Sequence, residues 1–234
     1  MSLISLINKI PFGNPAEKGF FLYSKVPSGF LKKMEEDSFK KTISFVCGHS
    51  KFYKRKFDEL GIRPEKVTKP EDLGDFFTTA EDIRANVEEF VCMKPDTAYE
   101  TTGTTSPRAK RVYFSRQEVK EAAWAGAVGL WGLGVRPEDR VVSAFDYSLW
   151  VSGPVLQASC EVLGCFHAEV GRMAPAEFFE RLSDYGITVI VSDPSWILAI
   201  TEVMKKSSKR WPVKLILGGG ENMSEDMRRY VEGV

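Results

Sequence analysis

Residues 186–206 read GITVIVSDPSWILAITEVMKK. The run Ile187–Ser192 is apolar without alternation, the pattern of a strand buried on both faces of a sheet. Asp193 then stands at an N-cap position, Pro194 at the first helical position, and a helical pattern follows through Lys206. The same unit recurs on either side. Upstream, Gly186 stops a helix that Pro175 starts and that runs to Tyr185, and CFHAEV (165–170) is the strand before it. Gly164 stops a helix running through Leu156 to Leu163, which follows the apolar run RVVSAF (140–145). Earlier still, Ser115 and Glu118 form a capping box for a helix to about Leu133, stopped by Gly134. Downstream come VKLIL (213–217), the turn GGGEN, and a helix capped by Ser224 with Glu225 and Asp226 in its first turn.

The order is β-α-β-α-β-α-β-α with continuously apolar strands. It predicts an α/β fold in three layers, a parallel sheet covered by helices on both faces. Ligands of such sheets bind beyond the carboxyl ends of the strands, where the strand order switches. The loops 146–153, 192–195 and 218–223 are therefore the expected functional edge.

Residues 1–98 have a different texture and are read as a mixed, mostly helical N-terminal subdomain, with 99–234 as the α/β subdomain. In HSKFYKRKFDELGI, Ser50 caps a helix whose Phe52, Tyr53, Phe57 and Leu60 lie on one face, with Gly61 as its stop. Lys40, Lys41, Lys54, Arg55 and Lys56 read as a solvated face. Across the 234 residues, 32 Lys and Arg balance 32 Asp and Glu, so no global field draws the chain to nucleic acid or anionic lipid. Any anion site must be local. No apolar run approaches the length of a membrane span and residues 1–20 lack a secretory pattern, so a cytoplasmic location is expected. Cys47, Cys92, Cys160 and Cys165 are too scattered for a disulfide scaffold, and Cys47-x-His49 and Cys165-x-His167 do not match paired zinc spacing. No metal site is expected from them.

Two glycine-bearing stretches remain. Gly126, Gly129, Gly132 and Gly134 lie in or at the end of a helix, in the wrong order for a dinucleotide fingerprint. With Ala122 and Ala125 they read as a small face that lets the helix press on the sheet. The stretch YETTGTTSPRAKRVYFS (99–115) carries four threonines around Gly103 and three basic residues, Arg108, Lys110 and Arg111. It is no Walker A loop. Hydroxyls and backbone N–H groups around a glycine suit a polyphosphate, and they equally suit a hydroxyl-rich turn.

TTGTTSPRAK resembles the phosphate-binding loop of the adenylate-forming enzymes, whose pattern is [ST]-[ST]-G-T-T-G-x-P-K. The likeness continues through FYKRKFDELGIRPEKVTKPEDL with FFTTAEDIRAN, FDYSLWVSGPVLQASCEVLG, SDPSWILAI and LGGGENMSEDMRR, all in family order. These segments are most similar to the phenylacetate-CoA ligase branch.

The resemblance implies an ATP-dependent, AMP-forming carboxylate-CoA ligase. A carboxylate is adenylated with Mg²⁺ assisting, and coenzyme A then takes the acyl group as a thioester. It places Thr101, Thr102, Gly103, Thr104, Thr105, Ser106 and Lys110 on the ATP phosphates, and Gly219, Gly220 and Glu221 beside the adenosine and acyl carbonyl. Phe145, Tyr147 and Trp150 border the carboxylate pocket, with packing at a strand end as their ordinary alternative. Asp193 and Ser195 are expected to cap a helix. Ser106 replaces the family's glycine, one residue is added before Lys110, and Asn222 replaces a proline.

The family's later Tyr-Gly-x-Thr-Glu segment, with its catalytic glutamate, and its catalytic lysine do not occur before Val234. The chain is therefore expected to be the N-terminal portion of such an enzyme and inactive alone. Two alternatives stand beside it: an adenylyltransferase acting on a coenzyme hydroxyl, and a non-catalytic nucleotide-binding fragment. The aromatic residues favour a small, planar carboxylate as partner, and oligomeric state is left open.

Overall fold

The computed structural model describes residues 13–101 and 109–234. The chain divides into two compact units. One is Leu22–Val119, and the other joins the described residues up to Phe21 with Lys120–Val234.

The first unit holds helices α2 (Ser28–His49), α3 (Lys51–Leu60) and α4 (Ala80–Phe90), with α1 (Pro15–Lys25) running into it. Ser50 caps α3 as its sequence demands, its Oγ accepting from the Tyr53 N–H at 3.3 Å. The same hydroxyl donates to the Glu89 carbonyl at 2.8 Å, so one buried serine joins the start of α3 to α4. Phe52 stacks on Phe90 with centroids 4.0 Å apart, and Phe57 packs with Ile43 and Val67. Leu60 departs from the expected apolar face: it is 56% exposed, because the helix ends there and Gly61 turns the chain at φ +65°. Arg55 and Lys56 reach Glu59 and Glu89, as a solvated charged face should.

This unit also holds an antiparallel hairpin not anticipated from the sequence, β1 (Thr97–Thr101) and β2 (Lys110–Phe114). The expected boundary at 98/99 runs through β1, whereas the hairpin stays with the helices. Tyr113 supplies one reason, donating to Glu88 of α4 at 2.6 Å.

In the second unit, β3 (Arg140–Ser143), β4 (Phe166–Glu169), β5 (Val189–Ser192) and β6 (Leu215–Gly218) form a parallel sheet in the order β4–β3–β5–β6. Helices α5 (Arg116–Gly132, in this unit from Lys120), α6 (Ser152–Leu163), α7 (Pro175–Leu182), α8 (Pro194–Lys206) and α9 (Glu225–Glu232) complete the expected alternation. The N-caps read at Ser115, Asp193 and Ser224 are present, whereas Ser195, also expected to cap, bonds Glu221 instead. Ser115 and Glu118 exchange side-chain and backbone bonds, and Asp193 and Ser224 each accept from an N–H three residues on. Gly134, Gly164 and Gly186 all take positive φ.

Consecutive residues of the strands serve opposite faces. Val142, Ala144 and Ile190 pack with Phe178, Phe179 and Leu182 of α7, Trp196 and Ile200 of α8, and Trp211. Val141, Val189 and Val191 pack with Ala127 and Leu130 of α5 and Cys160 and Leu163 of α6. Three layers result, as predicted. The glycine row of α5 works differently from the expectation. A Cβ at Gly126 would lie 2.2 Å from Ser159 Oγ of α6, and one at Gly132 would lie 2.8 Å from the Phe20 ring of α1. Gly129 faces open space and Ala125 is exposed. The small residues thus admit neighbouring helices, and Ala123, Ala127 and Leu130 meet the core instead.

Candidate functional site

The strand order creates the crevice. From β3 the chain moves to β4 on one side, then crosses back to β5 on the other. Accordingly α6, which follows β3, and α8, which follows β5, cover opposite faces. The loops leaving β3 and β5 diverge, and the space beyond their carboxyl ends is where open α/β sheets place ligands.

After β3, buried Ser143 turns the chain, its Oγ accepting from the Phe145 N–H at 3.1 Å. Phe145 reaches toward the loop after β6, its Cζ 3.7 Å from where a Cβ of Gly219 would be. Gly219 N–H donates to the Ser192 carbonyl, extending the β5–β6 pairing by one residue. Gly220 has φ +85°, a backbone conformation that side chains resist. The two glycines form a ledge without side chains beside an aromatic ring.

Glu221 holds that ledge. Its Oε2 accepts from both the backbone N–H (3.2 Å) and the hydroxyl of Ser195, in the first turn of α8. Ser195 thus serves the Glu221 loop while Asp193 caps the helix, accepting from Trp196 N–H at 2.9 Å. Asp193 also pairs with Arg172 from the loop after β4. This carboxyl edge therefore presents a half-exposed guanidinium, a helix start and two glycines.

Tyr147 lies between glycines. A Cβ at Gly153 would stand 2.9 Å from two of its ring carbons, and one at Gly171 would stand 3.8 Å from another. Its hydroxyl meets His167 Nε2 at 3.2 Å. Burial pushes the phenol up to about 12, against an opposing hydrogen bond with Ser143, with Glu169 adding to the rise. Burial likewise lowers the pKa of His167, opposed by Glu161. Both groups are neutral near pH 7. Trp150 stands farther out, 37% exposed.

Of the residues singled out from the sequence, Phe145, Tyr147, Gly219, Gly220 and Glu221 share this edge. Thr101 and Lys110 are found in the other unit, directly paired as the last rung of the β1–β2 hairpin. The loop they flank, with Thr102, Gly103, Thr104, Thr105 and Ser106, lies outside the described residues. Arg111 is not a free cation for it: its guanidinium pairs with Glu100 across the hairpin at 2.9 and 3.2 Å.

His167 and Arg172 were missed as site residues. His167 carried a signal only as part of a spacing weighed for zinc, and its partner is a tyrosine 20 residues away. Among the described residues, no three or more His, Cys, Asp or Glu side chains gather so as to hold a metal. No described helix is long and apolar enough to cross a membrane.

No protein-family model matches the chain. Curated relatives do. A phenylacetate-coenzyme A ligase of Thermus thermophilus is 25% identical over 215 residues, covering 88% of this chain and 48% of the relative. One of Escherichia coli is 22% identical over 210 residues, covering 86% and 48%. Among solved structures, a 2-hydroxyisobutyryl-CoA ligase in complex with 2-HIB-AMP and CoA superposes with a TM-score of 0.80 at 22% identity, over 89% of this chain and 47% of that one. The chain spans about half the length of the curated relatives it matches. The resemblance read from the motifs thus extends along nearly the whole chain, and its fold is that of the corresponding part of a CoA ligase.

Proposed function

We propose that this chain supplies the phosphate loop and one wall of the carboxylate pocket of an AMP-forming acyl- or aryl-CoA ligase. The observation that carries the reading is the glycine ledge Gly219–Gly220, set beside Phe145 at the switch point of the sheet. The motif order and the likeness to CoA ligases support it.

In the proposed reaction a carboxylate oxygen attacks the α-phosphorus of ATP, and the bond to pyrophosphate breaks. An acyl-adenylate remains. The thiol of coenzyme A then attacks the acyl carbon, losing its proton, and AMP departs. Gly219 and Gly220 leave room for a flat base to approach the backbone. Glu221 keeps that surface in place through Ser195, and the Thr101–Lys110 rung fixes the two ends of the phosphate loop. Phe145, Tyr147 and Trp150 border the acyl group. Mg²⁺ would neutralise charge on the departing pyrophosphate. The described residues offer it no cluster of ligands, so no step is assigned to it.

The test is AMP release and pyrophosphate–ATP exchange by the longest natural polypeptide carrying this chain, over a panel of aryl and short acyl carboxylates. Carboxylate-dependent exchange, with AMP and a thioester accumulating only when coenzyme A is added, is expected. AMP esterified to an alcohol would replace the ligase reading by an adenylyltransferase. Absence of exchange with every acid would leave a nucleotide-binding protein.

A further inference from the structure

Tyr147 is held at three points. The backbone at Gly153, at the start of α6, closes on one side of the ring, and the backbone at Gly171, after β4, lies near another. The third point is the hydroxyl, 3.2 Å from His167 Nε2 and also hydrogen-bonded with Ser143 at the end of β3. His167 sits on β4 opposite Val141 of β3, on the sheet face that α6 covers. Its Nδ1 is buried with no hydrogen-bond partner, so the Tyr147 hydroxyl is the one described polar neighbour that the ring engages.

A tyrosine in a substrate crevice ordinarily offers both a ring and a hydroxyl. Here the hydroxyl is already used within the protein. Burial disfavours charge on both partners, so the bond joins two neutral groups. A ligand reaching this wall meets a ring, and a polar substituent aimed at the phenol would compete with the imidazole. A fixed ring is complementary to a flat apolar group in offset or edge-to-face contact.

On the reading of the site given above, we propose that His167 is a positioning residue that fixes Tyr147 as an apolar aromatic wall, selecting carboxylic acids with a flat, unsubstituted apolar body. His167 touches neither ATP nor the reacting carbon in this scheme. Its influence is confined to the carboxylate.

The experiment compares wild type, His167→Leu, His167→Gln and Tyr147→Phe, in the longest natural polypeptide carrying the chain. The readout is KM for phenylacetate or benzoate, KM for ATP, and kcat. His167→Leu is expected to raise KM for the aryl acid about tenfold, the scale of one hydrogen bond's positioning effect, leaving KM for ATP and kcat within about twofold. His167→Gln keeps a polar partner for the phenol and should recover most of the loss. Tyr147→Phe, which also removes the bond with Ser143, should show a loss at least as large, and the double variant should be no worse than Tyr147→Phe alone, since the His167 bond is already gone there.

An unchanged carboxylate KM in His167→Leu overturns the inference, as do equal rises for acid and ATP or additive losses in the double variant. If His167→Leu fails to fold, the recovery by His167→Gln and the loss in Tyr147→Phe decide the matter. A wild type with no exchange on any acid overturns the functional reading and this inference together. An active wild type with an indifferent His167 overturns this inference alone.

Discussion

The two ends of the four-stranded sheet are built from opposite materials. At the amino end a single buried aspartate ties all four strands. Asp139, 2% exposed, accepts from Lys214 Nζ before β6 at 2.9 Å, from Thr188 Oγ1 before β5 at 2.8 Å, and from the Arg136 N–H at 2.8 Å. Its own carbonyl receives the Phe166 N–H of β4, and it directly precedes β3. At the carboxyl end the ties are pairwise and lie in loops: Glu221 with Ser195, Arg172 with Asp193, Tyr147 with His167. One end is closed by a shared network. The other is left open, with its loops tied by separate local contacts, which is where a ligand can be admitted without dismantling the sheet.

The largest expected effect tests the closed end. Asp139→Ala leaves the Thr188 hydroxyl and the Arg136 N–H without their acceptor. It should cost roughly 3 kcal/mol, reduced from a fully buried pair because Lys214 is half exposed and can be resolvated. Urea unfolding should show a lower midpoint with an unchanged slope. Burial alone would raise the Asp139 pKa, but the bonds from Lys214, Arg136 and Thr188 outweigh it and hold the carboxyl below its usual value. The stabilisation is thus complete above the unfolded carboxylate pKa of about 3.9 and is lost as pH falls through the lower folded value. Asp139→Asn should therefore flatten the acid limb of the stability profile. Full stability with lost activity in Asp139→Ala would reverse the roles assigned to the two ends.

The next effect belongs to the open end. Gly153→Ala places a methyl 2.9 Å from the Tyr147 ring, and the ring must move. Overpacking of this kind costs about 1–3 kcal/mol, and the displaced wall should raise the carboxylate KM more than the ATP KM. Thermal unfolding and steady-state kinetics on one preparation separate the two. A stability loss with unaltered KM would show that Tyr147 packs without facing substrate.

What the sequence reveals about these two ends differs for a physical reason. Caps and stops are local, so Ser115 with Glu118, Asp193, Ser224 and the positive-φ glycines could all be read directly, and with them the β-α alternation. The apolar strands showed that the sheet is parallel and buried. The ties between loops join residues 20 to 26 apart in sequence, and no periodicity marks His167 or Arg172 as partners of anything. The Asp139 network was equally invisible, since its side-chain partners Thr188 and Lys214 lie 49 or more residues away. The β1–β2 hairpin escaped because its strands mix charges with aromatics and lack the continuous apolar run of β3 or β5. Motif resemblance supplied the candidate site residues that pattern could not.

Glu221→Gln sharpens the comparison further. Glutamine keeps one oxygen for Ser195 but loses the charge facing the first turn of α8, and should cost about 1 kcal/mol. If the ledge serves the nucleotide, KM for ATP should rise severalfold while the carboxylate KM stays level, the inverse of the Gly153→Ala pattern. Parallel rises in both would merge the two walls into one cooperative unit.

The smallest effect lies in the helical unit and acts as the control. Ser50→Ala removes the cap of α3 and the bond to the Glu89 carbonyl together. Loss of a cap typically costs about 1 kcal/mol, and the half-buried Glu89 carbonyl left without this donor adds to that. Because Phe52 begins α3 and stacks on Phe90 of α4, the loosened start should be seen as faster amide exchange in the first turn of α3 and the end of α4. The carboxyl edge of the sheet makes no use of Ser50. Kinetic constants per folded molecule should therefore stay as in the wild type, and a shift in the carboxylate KM alone would mean that α3 takes part in setting the pocket.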